Sequence, residues 1–179
     1  EPVPYGRPRL VAPGVHATFR PAGHILGSAT VELRVEDGGR TTTILFSGDV
    51  GRRGAVLMPD PAPLPACDVL VIESTYGDRR HAAVDPADAL AAVVNQAAER
   101  GGMLVIPAFA VGRTQELLYH LRELEQAGRI PVLDVFVDSP MALDVTAITS
   151  SHLHELDAEA AAVVRRGDRP LCPAKGHMV

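Results

Sequence analysis

Three polar residues stand where a chain can do metal or acid–base chemistry: His24, Asp49 and Glu73. His24 lies in Pro21-Ala22-Gly23-His24-Ile25-Leu26-Gly27-Ser28, a small-residue loop whose glycines permit a tight turn and leave the imidazole nitrogens accessible, as a metal ligand requires. A hydrogen-bonded surface histidine is the plainer reading of the same residue. Asp49 follows an apolar run in Phe46-Ser47-Gly48-Asp49-Val50-Gly51-Arg52. Its two oxygens can bridge cations about 3.5–4 Å apart, or they can accept from the backbone of its own turn. Glu73 closes the apolar run Val69-Leu70-Val71-Ile72, where it can orient a histidine from outside a coordination shell or cap the turn that follows. All three fall at strand ends or in strand-connecting loops, where the sites of layered α/β folds gather.

Five segments resemble a known family. Gly23-His24, the turn Ser47-Gly48-Asp49-Val50-Gly51, and Glu73-Ser74-Thr75-Tyr76-Gly77 are similar to two metal-ligand motifs of the metallo-β-lactamase fold and to the carboxylate motif that opens a β-CASP domain. Pro107-Ala108-Phe109-Ala110-Val111-Gly112-Arg113-Thr114-Gln115-Glu116 and Asp138-Ser139-Pro140-Met141-Ala142 resemble two further β-CASP segments, in the family order. The likeness runs from about residue 15 to about residue 173. β-CASP nucleases are RNA-processing enzymes related to the mRNA 3′-end cleavage subunit. The resemblance implies a phosphodiesterase with two metal ions, zinc with manganese as the compatible alternative, at a cleft between two domains. By the resemblance, His24 would bind one metal, Asp49 would bridge both, and Glu73 would hold a histidine that comes later in the family's chain.

The departures carry equal weight. The family's His-x-His-x-Asp-His segment is absent ahead of His24, and no later histidine set follows the β-CASP segments. His152-Leu153-His154-Glu155-Leu156-Asp157 begins like the missing motif, but Leu156 and Asp157 stand where its Asp and last His belong. Residues two apart on a helix also face different ways, which makes a poor chelate if the region is helical. A single catalytic zinc wants three protein ligands. The expectation is therefore an internal segment of a longer nuclease, inactive on its own. Arg113 and Ser139 are the candidate substrate contacts, at helix starts where backbone N–H groups favour phosphate; as alternatives, Ser139 is only an N-cap and Arg113 only an ion-pair partner. Arg79-Arg80 line an RNA path or are simply solvated, and Tyr76 stacks on a base or sits in the core.

Positioning these residues requires strands first and helices later. Residues 15–20, 29–36 and 41–47 are β-branched, apolar runs, with Asp37-Gly38-Gly39 as a hairpin signal between the last two. In the middle run Val31, Leu33 and Val35 alternate with Glu32, Arg34 and Glu36, as in a half-buried strand. The continuous run from Asp68 to Glu73 reads as a fully buried strand. Asp85-Pro86 opens a helix reaching Gly101-Gly102; strands are expected at Met103–Ile106 and Val132–Val137, a helix from Thr114 to Ala127, and another from Ser139-Pro140. The fold class is α/β: part of a metallo-β-lactamase αββα sandwich over residues 1–78, then part of a β-CASP α/β domain over residues 79–179.

Composition bounds the rest. With 179 residues, 46% hydrophobic and 22% charged, the chain is built to fold and not to remain disordered. No apolar run approaches the ~18–20 residues of a membrane span. The opening Glu1-Pro2-Val3-Pro4-Tyr5 lacks signal-peptide features. Cys67 and Cys172 lack redox-pair or zinc-ribbon spacing, so reduced thiols in a cytoplasmic protein are expected. A net charge of −5 carries no basic excess for non-specific nucleic-acid binding. Exposed core surface in a truncated domain would favour association, a homodimer being the simplest form. Two other readings stand beside the RNA nuclease: a non-catalytic paralogue acting as a scaffold, and a small-molecule hydrolase of the same fold.

Overall fold

A computed structural model of the chain describes residues 2–80, 83–165 and 171. The thiol of Cys172, together with His81 and His177, lies outside the described residues. The chain divides into two compact units, Glu1–Arg79 and Arg80–Val179.

The first unit is one five-stranded sheet in sequential order: β1 (Arg9–Ala12), β2 (Val15–Pro21), β3 (Ala29–Asp37), β4 (Arg40–Phe46) and β5 (Val69–Val71). The first four strands are antiparallel neighbours, and β5 runs parallel to β4 after the long connection from Ser47 to Asp68. The β3–β4 hairpin turns on Gly38 and Gly39, both at positive φ (54° and 78°), with Asp37 opposite Arg40. That backbone twist matches the twist of the flanking strands and is open to glycine without strain. Because β2, β4 and β5 point the same way, their C-terminal ends share one edge of the sheet.

Two expectations change here. The alternation of β3 is present, and Val31, Leu33 and Val35 are part-buried as expected, but the opposite face is divided: Thr30 and Glu32 are buried while Arg34 and Glu36 are exposed. Glu32 lies opposite Thr18 and Leu45 and accepts from Arg20 Nη2 at 2.7 Å, so its charge is paired where it is shielded. The run expected as a fully buried strand is exposed, with Val69, Leu70 and Val71 each 46–48% accessible. A strand is buried on both faces only when layers cover both, and β5 is the terminal strand of its sheet.

The second unit is helical. In α1 (Pro86–Glu99), Asp85 caps the start by accepting from Ala87 N at 2.7 Å and Asp88 N at 3.2 Å. α2 (Arg113–Gln126) ends at Gly128, whose φ of 67° lets the chain reverse. α3 (Pro140–Ser151) starts from the Ser139 cap, and α4 (Ala158–Arg165) follows a 3-10 turn at Leu153–Glu155. Ala91 and Val94 of α1 pack on Leu124 of α2 and on Ile130, with Leu90 and Leu121 at the margin. Asn95 Nδ2 donates to Arg129 O at 2.9 Å and Arg129 pairs with Asp88 at 2.6 Å, which fastens the end of α2 to α1.

Among the described residues the strands expected at Met103–Ile106 and Val132–Val137 are not seen, apart from a bridge residue at Val135. Met103, Val105, Val132 and Phe136 are more than half exposed. A strand needs a neighbour to take its backbone groups, and among the described residues neither run has a ladder. Both instead line an apolar hollow of about 860 Å³ with Leu117, Leu118, Leu121 and Ile130.

Candidate functional site

Three loops meet at the edge where β2, β4 and β5 end. The first runs from Ala22 to Ser28. Ala22 N donates to Ser28 O at 3.1 Å, and the Ser28 hydroxyl accepts from the amides of His24 and Ile25, both at 3.2 Å. Ser28 therefore fixes the backbone that carries His24. The second loop leaves β4 through Ser47 and Gly48, the latter at φ 54°, and reaches Gly51, whose amide donates to Ala22 O at 2.9 Å. Gly51 packs directly on the Gly23 carbonyl, and an added Cβ would overlap it. Gly23 is equally constrained: its φ is 66° and a Cβ would stand 2.6 Å from Pro59 O. These glycines allow two backbones to touch, which brings His24 beside Asp49.

The resulting pair is open. His24 Nε2 lies 3.9 Å from Asp49 Oδ2, and the two side chains are 44% and 74% exposed. Adjacent tetrahedral donors at ~2.1 Å from an ion stand about 3.4 Å apart, so the donor types suit one metal and the pair would have to close by about half an ångström to share it. Among the described residues no group of three or more His, Cys, Asp or Glu side chains could hold an ion.

Glu73, on the third loop, faces the Asp49 turn. Oε1 accepts from Val50 N at 3.1 Å; Oε2 accepts from Thr75 N at 3.2 Å and Thr75 Oγ1 at 2.8 Å. These bonds favour the ionised form, with the Thr75 hydroxyl contributing most, and they hold the carboxyl below its ordinary value against a small opposing effect of burial. Glu73 thus both caps its own turn and holds the Asp49 loop. A carboxylate offers about four acceptor positions, so after three bonds one remains for a further donor such as an imidazole.

Ser47 lies inside the Ser47–Gly51 motif and Ser28 closes the His24 loop, but neither is marked by its residue type as a contact. The hint for each was a small hydroxyl residue beside a glycine loop, where side chains bond the local backbone.

In the second unit, Arg113 is the first residue of α2 and pairs with Glu116 at 2.9 Å, while the Ser139 hydroxyl accepts from Ala142 N at 3.2 Å as the cap of α3. Amides at the start of α2 are already used: Gly112 N donates to Gln115 Oε1 at 2.8 Å, Arg113 N to Val111 O at 3.0 Å, and Thr114 N to Phe109 O at 3.2 Å. The backbone anion seat expected there is taken up by the chain itself. Gln115, unflagged in the sequence, is 2% exposed and donates to Ala110 O at 3.1 Å and Thr146 Oγ1 at 2.9 Å, tying the start of α2 to α3. Besides its place in the Pro107–Glu116 segment, its signal was a glutamine at the third helical position after a glycine.

Tyr76 is not a core residue; it is 59% exposed, with the Arg79 guanidinium 5.9 Å from its ring centre. Arg79 also pairs with Asp78 at 3.1 Å. His152 and His154 fall beyond the end of α3, and their rings stack with centroids 6.1 Å apart instead of facing different ways. His152 Nδ1 lies 2.9 Å from Ile148 O, which commits one of its nitrogens.

Comparison with known proteins adds an independent finding. Residues 114–178 match the family described as the Beta-Casp domain. The chain is 36% identical over 175 residues to the transcription termination factor FttA of Methanosarcina mazei, covering 94% of this chain and 27% of that protein. It is 34% identical over 157 residues to ribonuclease TTHA0252 of Thermus thermophilus, covering 87% of this chain and 35% of the relative. An RNase J-like protein of Methanocaldococcus jannaschii is 31% identical over 170 residues, or 93% and 39% of the two chains. The chain thus spans roughly a third of the length of the curated relatives it matches.

Proposed function

Because residues 114–178 match the Beta-Casp domain, we propose that the whole protein is a metal-dependent phosphodiesterase that hydrolyses RNA, internally, from an end, or both. The observation that carries this reading is the meeting of His24 and Asp49 at 3.9 Å on the shared edge of the sheet, both open to solvent. The relatives named as a ribonuclease and as RNase J-like support RNA as the substrate class.

In this reading His24 and Asp49 would contribute donors to the metal site, with zinc favoured by the histidine–carboxylate donor types and manganese compatible with them. Metal ions held there would supply Lewis-acid chemistry at the phosphodiester. The residues of this chain prepare the ground for that chemistry. Gly23 and Gly51 bring the two loops into contact, and Ser28 fixes the His24 backbone. Glu73 holds the Val50 amide and offers its remaining acceptor position to an imidazole N–H. Arg113 contacts RNA through its guanidinium, which is 62% exposed at the side chain. Ser139 keeps its hydroxyl proton available after accepting from Ala142. A cytoplasmic location and self-association as a homodimer complete the proposal, the latter supported by exposed apolar residues such as Met103, Phe109 and Phe136.

The test is Asp49→Asn in the full-length protein. Hydrolysis of a labelled RNA should fall by at least a thousandfold while RNA binding persists. An unimpaired variant would remove Asp49 from the site and with it this reading.

A further inference from the structure

We propose that Ser47 is a positioning residue whose hydroxyl clasps the Asp49 turn to the Glu73 turn and thereby sets the Asp49 carboxylate opposite His24. The inference rests on reading His24 and Asp49 as metal donors, and it identifies what fixes one of them.

Ser47 is 1% exposed at the point where β4 gives way to the Asp49 loop. Both capacities of its hydroxyl are used. Oγ donates to Gly48 O at 2.7 Å and accepts from Glu73 N at 3.0 Å, while the Ser47 amide donates to Val71 O at 2.9 Å. Glu73 returns the link through Val50 N, 3.1 Å from Oε1. Asp49 is therefore bracketed: the carbonyl before it is held by Ser47, the amide after it is held by Glu73, and the backbone of Glu73 is held by Ser47.

This bracket matters because the Asp49 side chain is 74% exposed and His24 Nε2 stands 3.9 Å from it, beyond hydrogen-bond reach. Where an exposed carboxylate has so little side-chain restraint, its placement follows from its backbone. Gly48, at φ 54°, takes the left-handed conformation that this turn requires. A loop containing two glycines in four residues would otherwise wander, and a displaced donor binds its ion more weakly. The outward half of the loop is anchored separately by Gly51 on Ala22, so the segment left for Ser47 to restrain is the one that carries Asp49.

The experiment titrates the 179-residue chain with Mn²⁺ alone and follows paramagnetic broadening of the His24 and Asp49 resonances. A two-donor site is weak, and broadening detects weak occupancy. Ser47→Ala should need about tenfold more Mn²⁺ for equal broadening, and Ser47→Thr, which keeps the hydroxyl, should match the unaltered chain. Superimposable titrations for Ser47→Ala and the unaltered chain would overturn the proposal. If the unaltered chain shows no broadening at either residue, the two donors alone do not hold Mn²⁺, and amide exchange decides the clasp. Faster exchange at Glu73 and Val50 in Ser47→Ala upholds it; equal exchange overturns it.

Discussion

Gly51 rests against the backbone of Gly23, so close that a methyl group on Gly51 would overlap the Gly23 carbonyl oxygen. The two loops carrying His24 and Asp49 are joined at this point by backbone packing and by the bond from Gly51 N to Ala22 O. The pairing of the two candidate donors is therefore a consequence of two absent side chains.

Gly51→Ala should separate the loops. The overlap is with backbone, which cannot rotate aside, so the cost should be about 1–3 kcal/mol, read as a lowered urea midpoint. The His24 and Asp49 resonances should shift together. A variant with unchanged stability and spectrum would show that the contact is not made in solution.

Glu73 should give the Asp49 turn an acid-sensitive hold. Its carboxyl is held below the ordinary value by the Thr75 hydroxyl, then by the Val50 and Thr75 amides, with the His24 charge a lesser contributor. A depressed carboxylate contributes its stabilisation fully above the unfolded-state pKa and loses it as pH falls through the lower folded value. Exchange protection at Val50 and Thr75 should then be flat at neutral pH and decline on acidification below the usual carboxylate range. In Glu73→Gln that acid limb should vanish. Protection that rises as the pH falls would contradict the assignment.

Zinc exposure followed by desalting should leave far less than one ion per chain. His24 and Asp49 are one donor short of the three a catalytic zinc requires, and among the described residues no third donor joins them. Elemental analysis of the purified chain checks this directly. Two zinc ions per chain, or hydrolysis of RNA by the chain alone at a catalytic rate, would mean that further histidines converge on the pair.

Gln115 should prove costly to remove although it belongs to no charged site. Truncation to Ala leaves the Gly112 amide, the Ala110 carbonyl and the Thr146 hydroxyl without their shared partner. Buried polar groups left unpaired cost about 1–3 kcal/mol. Urea unfolding of Gln115→Ala measures the loss, and a change below about 0.5 kcal/mol would show that these groups rehydrate freely.

Local signals carried the elements whose stability is local. Asp85-Pro86, Ser139-Pro140 and Gly128 mark helix ends because caps and fixed φ angles act within a few residues. Asp37-Gly38-Gly39 marked its hairpin for the same reason. Met103–Ile106 and Val132–Val137 have strand composition without becoming strands, because pairing depends on a partner that the run itself cannot supply. Val69–Val71 is a strand but not a buried one, since burial depends on what lies over the sheet.

The residue types at His24, Asp49 and Glu73, their glycine-rich loops and their order along the chain are properties of the sequence, and these suffice for the family likeness and the chemistry it implies. Folding alone decides which loops meet. The meeting depends on β2, β4 and β5 ending at one edge, on Gly51 lying against Gly23, and on Ser47 and Glu73 reaching across 26 residues to share one hydrogen bond. Such contacts join segments with no local preference for one another, so their geometry is set by the register of the sheet. For the same reason the burial of Glu32 was invisible in the alternating pattern of β3: periodicity separates two faces but does not say how much of each the rest of the chain will cover.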